Sequence, residues 1–519
     1  MTGRPIALIT SAAYVNDELA AEFGRLPASF LPFGHNRLFQ DQVTRLSELG
    51  IENQQIVLTV PESFRIPEWD RQWLERHDVM VVPLRDGLSL CESVLQALIA
   101  SDARGPLRIL HGDTLFLKPL SDRLDAVGVA PTGGAYPWGR LGSAAAGGED
   151  QVLTGWFALS SAPAFLRCLA RAEGSFTAAI DAYDALHPLA QQEMQDWLDF
   201  GHLQTFYRAR AQVSTARSFN SVHINEHTVV KTGDKADKLE AEAAWFDAAP
   251  AAIRLHTPPF LGRQPGGYSL GYEVSPTLHE IYVFGQLGPA TWRQILAGCF
   301  GFLETCADLA DPTAAEDDAM SQLALGKTPG RLADWSDATG VDLNRVWSYA
   351  GRPLCSLNDL AQATAAIAQR SSPIHGVMHG DLCFPNMFFN FRQGLVKVID
   401  PRGSVREGRH TPFGDLRYDL AKLNHSLEGY DLVLAGRYQL TEGDHDLSIA
   451  FPQSSGTTFL PTIAGEFSLQ GQGLHDPAIV ALTVHLFLSM LPLHADRPDR
   501  QRAFLANALR LGTSLELKS

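Results

Sequence analysis

The first 130 residues alternate between short apolar runs and longer segments of mixed polarity. Segments such as Arg37–Leu49 and Leu90–Ser101 have helical length. The runs between them are rich in β-branched residues and hold few charges: Ile6–Ile9, Gln55–Val60, Val79–Pro83 and Leu107–Leu110. Apolar strands that alternate with helices are typical of a parallel sheet covered on both faces. The pattern therefore predicts an α/β fold for the first part of the chain.

The pattern changes after about residue 215. Ser221–Ile224 and His227–Thr232 predict a hairpin, and Lys235–Ala248 predicts a helix. Tyr268–Val274 and Glu280–Phe284 read as two further strands. From residue 290 onward the pattern is mainly helical, with one strand-like run at residues 394–399. We therefore predict two domains, residues 1–215 and 216–519.

Composition and charge exclude several classes of protein. Lys and Arg number 42 and Asp and Glu 58, which gives a net charge of −16 and disfavours a nucleic-acid partner. The six cysteines contain no CxxC pair, and the 17 histidines form no HExxH or HxH cluster, so we expect neither a disulfide framework nor a zinc site. The apolar stretch Ile479–Leu493 is shorter than the ~20 residues that span a bilayer. We expect no membrane span and a cytoplasmic location, and the oligomeric state stays open.

The densest chemical signal lies in the second domain. The stretch His379–Asn386 reads HGDLCFPN, and a strand-like run that ends at Asp400 follows it. Phosphoryl transfer needs metal-binding oxygens beside the nucleotide phosphates and a carboxylate that orients the attacking hydroxyl. Asp381 is the candidate for that carboxylate, and Asn386 and Asp400 are the candidate metal ligands.

These residues resemble the aminoglycoside phosphotransferase and choline kinase group, whose pattern is H-x-D-x-x-x-x-N followed by a strand that ends in Asp. The stretch Gly414–Lys422, GDLRYDLAK, matches a second motif of that group, G-D-x-x-Y-D-L-A-K. The resemblance implies a protein-kinase-like α+β domain with two lobes, residues 216–286 and 287–519. It also implies ATP as co-substrate, Mg²⁺, and a small alcohol or sugar as acceptor.

The same resemblance implies a lysine on an upstream strand and a glutamate on the next helix. Lys231 supplies the lysine, and we prefer Glu242 as its partner because two aromatic residues follow it at helical spacing. Glu240 remains the alternative. The resemblance further implies that backbone at Glu273 and Val274 holds the adenine and that a turn near residue 225 covers the phosphates.

The first domain carries a second constellation. Asp113 follows an apolar strand, and Asp199 lies in the sequence WLDFG. Together with Leu26–Gly34, these residues resemble the sugar-nucleotide nucleotidyltransferases, which have a doubly wound, GT-A-like domain. The resemblance implies that Asp113 and Asp199 hold one Mg²⁺ and that the domain uses CTP or another NTP.

Two departures from that family concern its cationic groups. Its G-x-G-T-R loop is replaced by Thr10–Tyr14, and the lysine of its P-K-P segment by Ala28 or Ser29. Charge that develops on the phosphates still needs a cationic partner. Arg25, Arg37 and His35 are candidates for a catalytic cation, with Arg25 our first choice and Arg37 the second.

Two hypotheses follow. In the first, the chain is a bifunctional enzyme, a small-molecule kinase joined to a nucleotidyltransferase that activates the phosphorylated product for capsule or other surface polysaccharide. In the second, only the kinase is catalytic, and the first domain is a nucleotide- or sugar-binding module. The missing glycine-rich loop favours the second hypothesis.

Overall fold

The computed structural model describes residues 4–132, 136, 138–140, 151–212, 220–224, 227–311, 320–406, 408–452 and 458–515. Contacts between Cα atoms divide the chain into two compact units, residues 1–213 and 214–519. The turn at residue 225, predicted to cover the phosphates, lies outside the described residues.

The N-terminal unit alternates strands and helices. Its strands are β1 (Ile6–Thr10), β2 (Pro32–Phe33), β3 (Asn36–Arg37), β4 (Ile56–Pro61), β5 (Met80–Leu84), β6 (Leu107–His111), β7 (Thr114–Phe116), β8 (Ala126–Pro131), β9 (Gln151–Leu159), β10 (Ala190–Glu193) and β11 (Trp197–Asp199). Its helices are α1 (Asp17–Phe23), α2 (Leu38–Ser47), α3 (Glu68–Arg76), α4 (Leu90–Ala100), α5 (Ala162–Arg171), α6 (Phe176–Asp184) and α7 (Leu203–Gln212).

The main sheet of this unit has the strand order β10-β8-β9-β6-β1-β4-β5. The four strands that the apolar runs predict are confirmed as β1, β4, β5 and β6, and they pair in parallel. The predicted parallel sheet is present, and it is mixed, because β9 runs antiparallel to both β6 and β8. An apolar run indicates that both faces of a strand are buried. It does not indicate the direction of the strand, which depends on how the chain connects it to its neighbours.

Both faces of this sheet are buried. Ala7 and Ile9 of β1 pack into one apolar cluster, whereas Leu8 packs into a second cluster. Successive side chains of a strand point to opposite faces, so helices cover the sheet on both sides. Strand β7 continues from the end of β6 and pairs with β11, which brings two distant segments together.

The C-terminal unit begins with a small sheet and continues into helices. Its strands are β12 (Asn220–Ile224), β13 (Thr228–Gly233), β14 (Phe260–Gln264), β15 (Gly267–Gly271), β16 (Val346–Tyr349), β17 (Arg352–Ser356), β18 (His375–Val377), β19 (Met387–Asn390), β20 (Leu395–Val398), β21 (Ser404–Arg406), β22 (Arg409–His410), β23 (Phe413–Asp415), β24 (Gln439–Gly443), β25 (Asp446–Ala450), β26 (Ser468–Leu469) and β27 (Gln472–Gly473). Its helices are α8 (Ala236–Ala248), α9 (Ala251–Arg254), α10 (Leu278–Phe284), α11 (Pro289–Asp308), α12 (Lys327–Thr339), α13 (Leu357–Ala368), α14 (Arg417–His425), α15 (Asp431–Leu434), α16 (Leu460–Ala464), α17 (Pro477–Met490) and α18 (Pro498–Ser514).

The first sheet of this unit is antiparallel, with the order β12-β13-β15-β14, and helix α8 packs on it. A second sheet, β17-β16-β25-β24, lies within the part of the chain predicted to be mainly helical, so that prediction is incomplete. The predicted strand Glu280–Phe284 is also wrong, because these residues belong to α10. Thr277 and Glu280 cap this helix reciprocally, a T-x-x-E signal that the apolar run concealed.

One apolar helical segment satisfies a length and hydropathy test for crossing a membrane. Pro477–His494 has a mean hydropathy of 1.6, and 72% of it is buried within the structure. Helix α17 within it packs against α12, α13, α14 and α18. A core helix that is covered on every side has the same composition.

Candidate active sites

Asp113 and Asp199 come together in the N-terminal unit, where β7 pairs with β11. A Cβ atom built on Gly201 would lie 2.6 Å from Asp113 Oδ2 and 3.1 Å from Asp199 Oδ1, so those two oxygens are separated by at most the sum of these distances, about 5.7 Å. The backbone of this segment binds both residues, because Phe200 N–H donates to the Asp113 carbonyl at 2.8 Å and Gly201 N–H donates to Asp199 Oδ1 at 2.9 Å. Burial and the charge of Asp199 raise the pKa of Asp113 above its usual value.

Two polar side chains hold the loop that carries Asp113. The amide of Gln42 donates to the carbonyls of His111, Gly112 and Thr114 at 3.0, 3.2 and 2.8 Å. The hydroxyl of Ser29 donates to the Gly112 carbonyl at 3.1 Å. Ser29, one of the two residues at the position of the family's lysine, is therefore fully buried and engaged in holding this loop.

The predicted cations lie elsewhere. Arg25 is an exposed side chain that lies over the ring of Tyr14, 4.0 Å from its centroid, and 3.9 Å from Asp86. Arg37 is buried and bonds to Asp70 at 3.0 Å and to the Phe30 carbonyl at 2.6 Å. Arg37 therefore stabilises the fold. Within the described residues, Arg25 contacts Tyr14 and Asp86 and contacts neither Asp113 nor Asp199.

Sequence reasoning missed His202. Its Nδ1 lies 3.2 Å from Asp199 Oδ2, and its ring stacks on Tyr136 with a centroid distance of 3.8 Å. Trp138 meets the edges of both His202 and Trp197 at centroid distances of 5.8 Å. The signal for His202 was its position three residues after Asp199, in the short turn between β11 and α7.

In the C-terminal unit, Lys231 joins two segments that are distant in the sequence. Its Nζ lies 2.7 Å from Glu242 Oε2 on α8 and 3.0 Å from Asp400 Oδ1 after β20. Glu242 is fully buried and also accepts a 2.7 Å hydrogen bond from the hydroxyl of Tyr268. Burial lowers the pKa of Lys231, but the charges of Asp400 and Glu242 outweigh it and raise that pKa above its usual value.

The structure distinguishes the two glutamates of α8. Glu240 is an exposed side chain that pairs with Arg263 at 3.2 Å, whereas Glu242 faces Lys231. Close packing fixes this face of the helix, because a Cβ on Gly403 would lie 2.0 Å from the Ala241 carbonyl. Trp245 on the same helix donates its Nε1–H to the Met378 carbonyl at 2.9 Å. The aromatic spacing that favoured Glu242 therefore reflects a real packing contact.

Asp381 is held by one amide and one ammonium group. Asn386 Nδ2 donates to Asp381 O at 3.0 Å and to Asp381 Oδ2 at 3.1 Å, and Lys422 Nζ lies 2.8 Å from Asp381 Oδ1. The side chain of Asp381 keeps 42% of its surface accessible, so a substrate can reach it. The surrounding protein raises the pKa of Asp381 by desolvation, but the charge and hydrogen bond of Lys422 outweigh this and hold that pKa well below its usual value.

The backbone around Asp381 is bound to a buried carboxylate. Asp419 accepts hydrogen bonds from the N–H groups of His379 and Gly380 at 2.8 and 2.7 Å. Asp419 belongs to the second matched motif, as does Lys422. That motif therefore holds both the backbone and the carboxylate of the Asp381 loop.

Asn386 and Asp400 occupy adjacent segments. The N–H of Ile399 donates to the Asn386 carbonyl at 3.0 Å, and Asp400 follows with a left-handed φ of 58°. Lys231 binds Asp400 through Oδ1, and no hydrogen bond within the described residues engages Asp400 Oδ2 or Asn386 Oδ1. Oxygen atoms of carboxylates and amides are the ligands that Mg²⁺ prefers, so this donor set fits the ion.

Glu273 and Val274 lie between β15 and α10. The carboxylate of Glu273 binds Lys397 at 3.1 Å and Ser275 at 2.6 Å, whereas Val274 is exposed. The N–H of Tyr272 donates to the His227 carbonyl at 2.8 Å, which ties this segment to the start of β13. The carboxylate of Glu273 is thus already bound to Lys397 and Ser275, so an adenine at this segment would be bound by backbone groups.

Among the described residues, no group of three or more His, Cys, Asp or Glu side chains could hold a metal ion by itself. The two acidic sites each offer two oxygen-bearing side chains. An ion at either site would need further ligands, which phosphate oxygens and water supply for Mg²⁺.

Comparison with known proteins gives structural matches to the N-terminal part of the chain. No family model and no curated protein matches the sequence. A Bacillus anthracis structure assigned as a glucose-1-phosphate thymidylyltransferase is 12% identical, covering 41% of this chain and 98% of its own, with a TM-score of 0.33. A nucleoside-diphosphate-sugar pyrophosphorylase from Vibrio cholerae RC9 is 14% identical over 40% of this chain and 99% of its own, with a TM-score of 0.32. An apo UDP-glucose pyrophosphorylase is 14% identical over 41% of this chain and 98% of its own, with a TM-score of 0.30. Identities and scores this low carry no functional assignment.

Proposed function

We propose that the chain is a bifunctional enzyme. Its C-terminal unit is a protein-kinase-like domain that transfers phosphate from ATP to a small sugar, amino alcohol or polyol. Its N-terminal unit transfers a nucleotidyl group from CTP or another NTP to the phosphorylated product, which supplies a precursor for surface polysaccharide. The observation that carries the proposal is the position of Lys231 between Glu242 and Asp400.

The kinase step requires positioned charges rather than covalent catalysis. Lys231, held by Glu242, would bind the ATP phosphates. Asp381 would accept a hydrogen bond from the acceptor hydroxyl and orient it toward the γ-phosphorus. Because Lys422 holds the pKa of Asp381 well below its usual value, this carboxylate is ionised and ready to accept that bond at neutral pH.

Asn386 and Asp400 would hold Mg²⁺ through the two oxygens that no described residue engages. When bound there, Mg²⁺ neutralises charge on the phosphates. Asp400 also binds Lys231, so this residue would fix the relative position of the cationic groups that face ATP.

The nucleotidyltransferase step rests on Asp113 and Asp199. Two carboxylates so close together, with no described Lys or Arg in recorded contact, favour a bound divalent cation. Two oxygens on one Mg²⁺ lie at most about 4.2 Å apart, since each Mg²⁺–oxygen distance is about 2.1 Å, so the two carboxylates, at most about 5.7 Å apart, would need to lie within that shorter distance to share an ion. His202 would orient Asp199 through its Nδ1.

A second candidate keeps the kinase and makes the N-terminal unit a binding module. It is favoured by the engagement of Arg25 with Tyr14 and Asp86 and by the buried position of Ser29. With Arg25 engaged elsewhere and Ser29 in place of a lysine, the α-phosphate of a nucleotide would lack the cation that the lysine of the nucleotidyltransferases supplies.

Two product assays on the full-length chain separate these candidates. Release of ADP from Mg-ATP in the presence of sugars, amino alcohols and polyols tests the kinase. Release of pyrophosphate from NTPs with the phosphorylated products tests the second activity. ADP release without pyrophosphate release would favour the binding module, and the absence of both would contradict the proposal.

A further inference from the structure

Three basic side chains cluster beside the Asp381 loop. Lys327 and Arg331 lie one turn apart at the start of α12, and Arg402 follows Asp400 by two residues. A π-helical turn, Ser321–Leu325, precedes α12 and packs against β21, which begins just after Arg402. These contacts bring the two segments together.

Arg402 packs directly on the residue before Asp381. A Cβ on Gly380 would lie 2.6 Å from Arg402 Cβ and 3.2 Å from Arg402 Cδ. The N–H of Arg402 donates to the His379 carbonyl at 2.7 Å, so its backbone is held against the same loop. The positive charge of Arg402 also lowers the pKa of Asp381. The guanidinium therefore stands close to the carboxylate that would orient the acceptor.

Within the part of the chain that the structure describes, the cluster has no counter-charge in direct contact. Lys327 and Arg402 make no side-chain hydrogen bond or ion pair with any described residue, and Arg331 donates only to the Ser489 carbonyl at 2.9 Å. Burial, with the charges of Arg402 and Arg331, lowers the pKa of Lys327 to about 8. Half-buried cations with no anionic partner are costly. The chain as a whole has a net charge of −16, so three basic side chains this close together are unusual, and Asp334 on the same helix opposes the charge of Arg331.

The cluster approaches Asp381 from the helical part of the unit. Tyr418 interacts electrostatically with both Arg331 and Lys422, and Lys422 binds Asp381. Lys231, by contrast, lies on β13 of the small sheet and reaches Asp400. Lys231 therefore belongs to the small sheet, whereas Lys327 and Arg331 belong to the helical part of the unit.

We propose that the acceptor carries an anionic group, a carboxylate or a phosphate, that Lys327, Arg331 and Arg402 bind while Asp381 orients its hydroxyl. This inference rests on the proposed kinase function. Guanidinium and ammonium groups bind such anions through charge-assisted hydrogen bonds. The site then selects sugar acids or sugar phosphates among the possible acceptors and rejects cationic amino alcohols.

The transfer step balances with the groups already named. The acceptor hydroxyl oxygen forms a bond to the γ-phosphorus, and the bond from that phosphorus to the β–γ bridging oxygen breaks. ADP leaves with the electron pair of that bond. The hydroxyl proton passes to Asp381 and then to solvent. The anionic group of the acceptor stays intact and serves only to bind.

The kinetic test uses acceptors that share one sugar skeleton. ADP release is measured with glucose, glucuronate and glucose 6-phosphate, and with ethanolamine as a cationic acceptor. We expect at least tenfold higher kcat/KM for one of the two anionic sugars. Lys327→Met and Arg331→Met should raise KM for that sugar at least tenfold and leave KM for ATP unchanged. Arg345→Met, which removes an exposed arginine paired with Asp444, is the matched control and should change neither value.

A binding test applies even if the true acceptor is none of the four compounds used in the kinetic test. Inorganic phosphate and acetate are titrated into the full-length chain with a non-hydrolysable ATP analogue and Mg²⁺ bound, and the heat of binding is recorded. We expect one of the two anions to bind, and Lys327→Met to weaken that binding at least tenfold. The anion that binds more tightly identifies the anionic group of the acceptor, a phosphate or a carboxylate.

The outcomes separate this inference from the kinase proposal. A preference for glucose or ethanolamine, anion binding that Lys327→Met leaves unchanged, or a rise in KM for ATP in that variant would overturn the anionic acceptor and leave the kinase standing. Failure of the chain to bind Mg-ATP at all would overturn the kinase proposal itself.

Discussion

Lys422 Nζ lies 2.8 Å from Asp381 Oδ1 and joins helix α14 to the loop that carries the candidate catalytic carboxylate. Each charge stabilises the other against desolvation. The pKa of Asp381 therefore lies well below its usual value, and that of Lys422 lies well above its own. Lys422 was visible in the sequence as the end of a matched motif, but its contact with Asp381 depends on the tertiary fold.

Lys422→Met should introduce an acid limb into the pH profile of the proposed phosphoryl transfer. The pKa of Asp381 is depressed in the parent, so Asp381 stays ionised as pH falls and gives no limb near neutrality. Without Lys422, desolvation is opposed only by lesser effects such as the charge of Arg402, so the pKa of Asp381 rises. Below the new pKa, kcat should fall about tenfold per pH unit as the carboxylate protonates. A profile that matches the parent's between pH 5 and 8 would mean that Lys422 does not set the charge of Asp381, and Arg345→Met serves as control.

Glu242→Gln and Glu240→Gln test the ion pair of Lys231 on one helix. The first change removes the buried charge that holds Lys231, and we expect at least a tenfold loss of kcat/KM for ATP, about 1.4 kcal/mol. The second removes an exposed partner of Arg263, and such pairs contribute only about 0–1 kcal/mol to stability. Equal kinetic effects of the two changes would contradict the role assigned to Glu242.

The sequence predicted elements that apolar burial alone determines. Strands β1, β4, β5 and β6 are confirmed because each is a mainly apolar run between polar segments. The run Glu280–Phe284 was misread, since its four apolar residues fit a buried helix as well as a strand and only the cap at Thr277 separates the two. Strand direction in β9 depends on chain connections that no local pattern encodes.

In the candidate sites, too, the sequence predicted residues that belong to motifs but not the contacts that depend on tertiary packing. Motif spacing singled out Asp113 and Asp199, and the structure brings them together although the pairing of β7 with β11 was not predicted. Arg25 was chosen because the family's lysine is missing, and it lies over Tyr14 instead. The cluster of Lys327 with Arg402 was not predicted, because these residues belong to no motif and meet only through the packing of β21 beside α12.

Asp113→Asn and Asp199→Asn should each suppress pyrophosphate release at least a hundredfold if the N-terminal unit is catalytic. Each change removes one of the two negative charges that a metal ion bound to triphosphate requires. The ADP release of the C-terminal unit should stay unchanged, which reports that the chain is folded. Asp102→Asn, at an exposed aspartate paired with Arg104, is the control. Parental pyrophosphate release in either variant would leave the acidic pair without a catalytic role.

Gly201→Ala should damage the same activity by a different route. The added methyl group would lie 2.6 Å from Asp113 Oδ2, so the carboxylate of Asp113 must leave its position beside Asp199. We expect at least a tenfold weaker apparent affinity for Mg²⁺ in the pyrophosphate assay. Gly301→Ala, in α11 with open space around the added methyl, should have no such effect and should stabilise the chain by up to about 1 kcal/mol. An unchanged Mg²⁺ dependence in Gly201→Ala would show that the two carboxylates do not share an ion.

Comparison of the parent with Asp381→Asn tests the central claim most directly. Binding of Mg-ATP by calorimetry and release of ADP with the best acceptor are measured on both chains. The substitution keeps the shape of the side chain and removes the charge that orients the hydroxyl, so ATP affinity should stay within about twofold while ADP release falls by roughly 10²–10⁴-fold. Near-parental ADP release in Asp381→Asn would contradict the assignment of the C-terminal unit as a kinase.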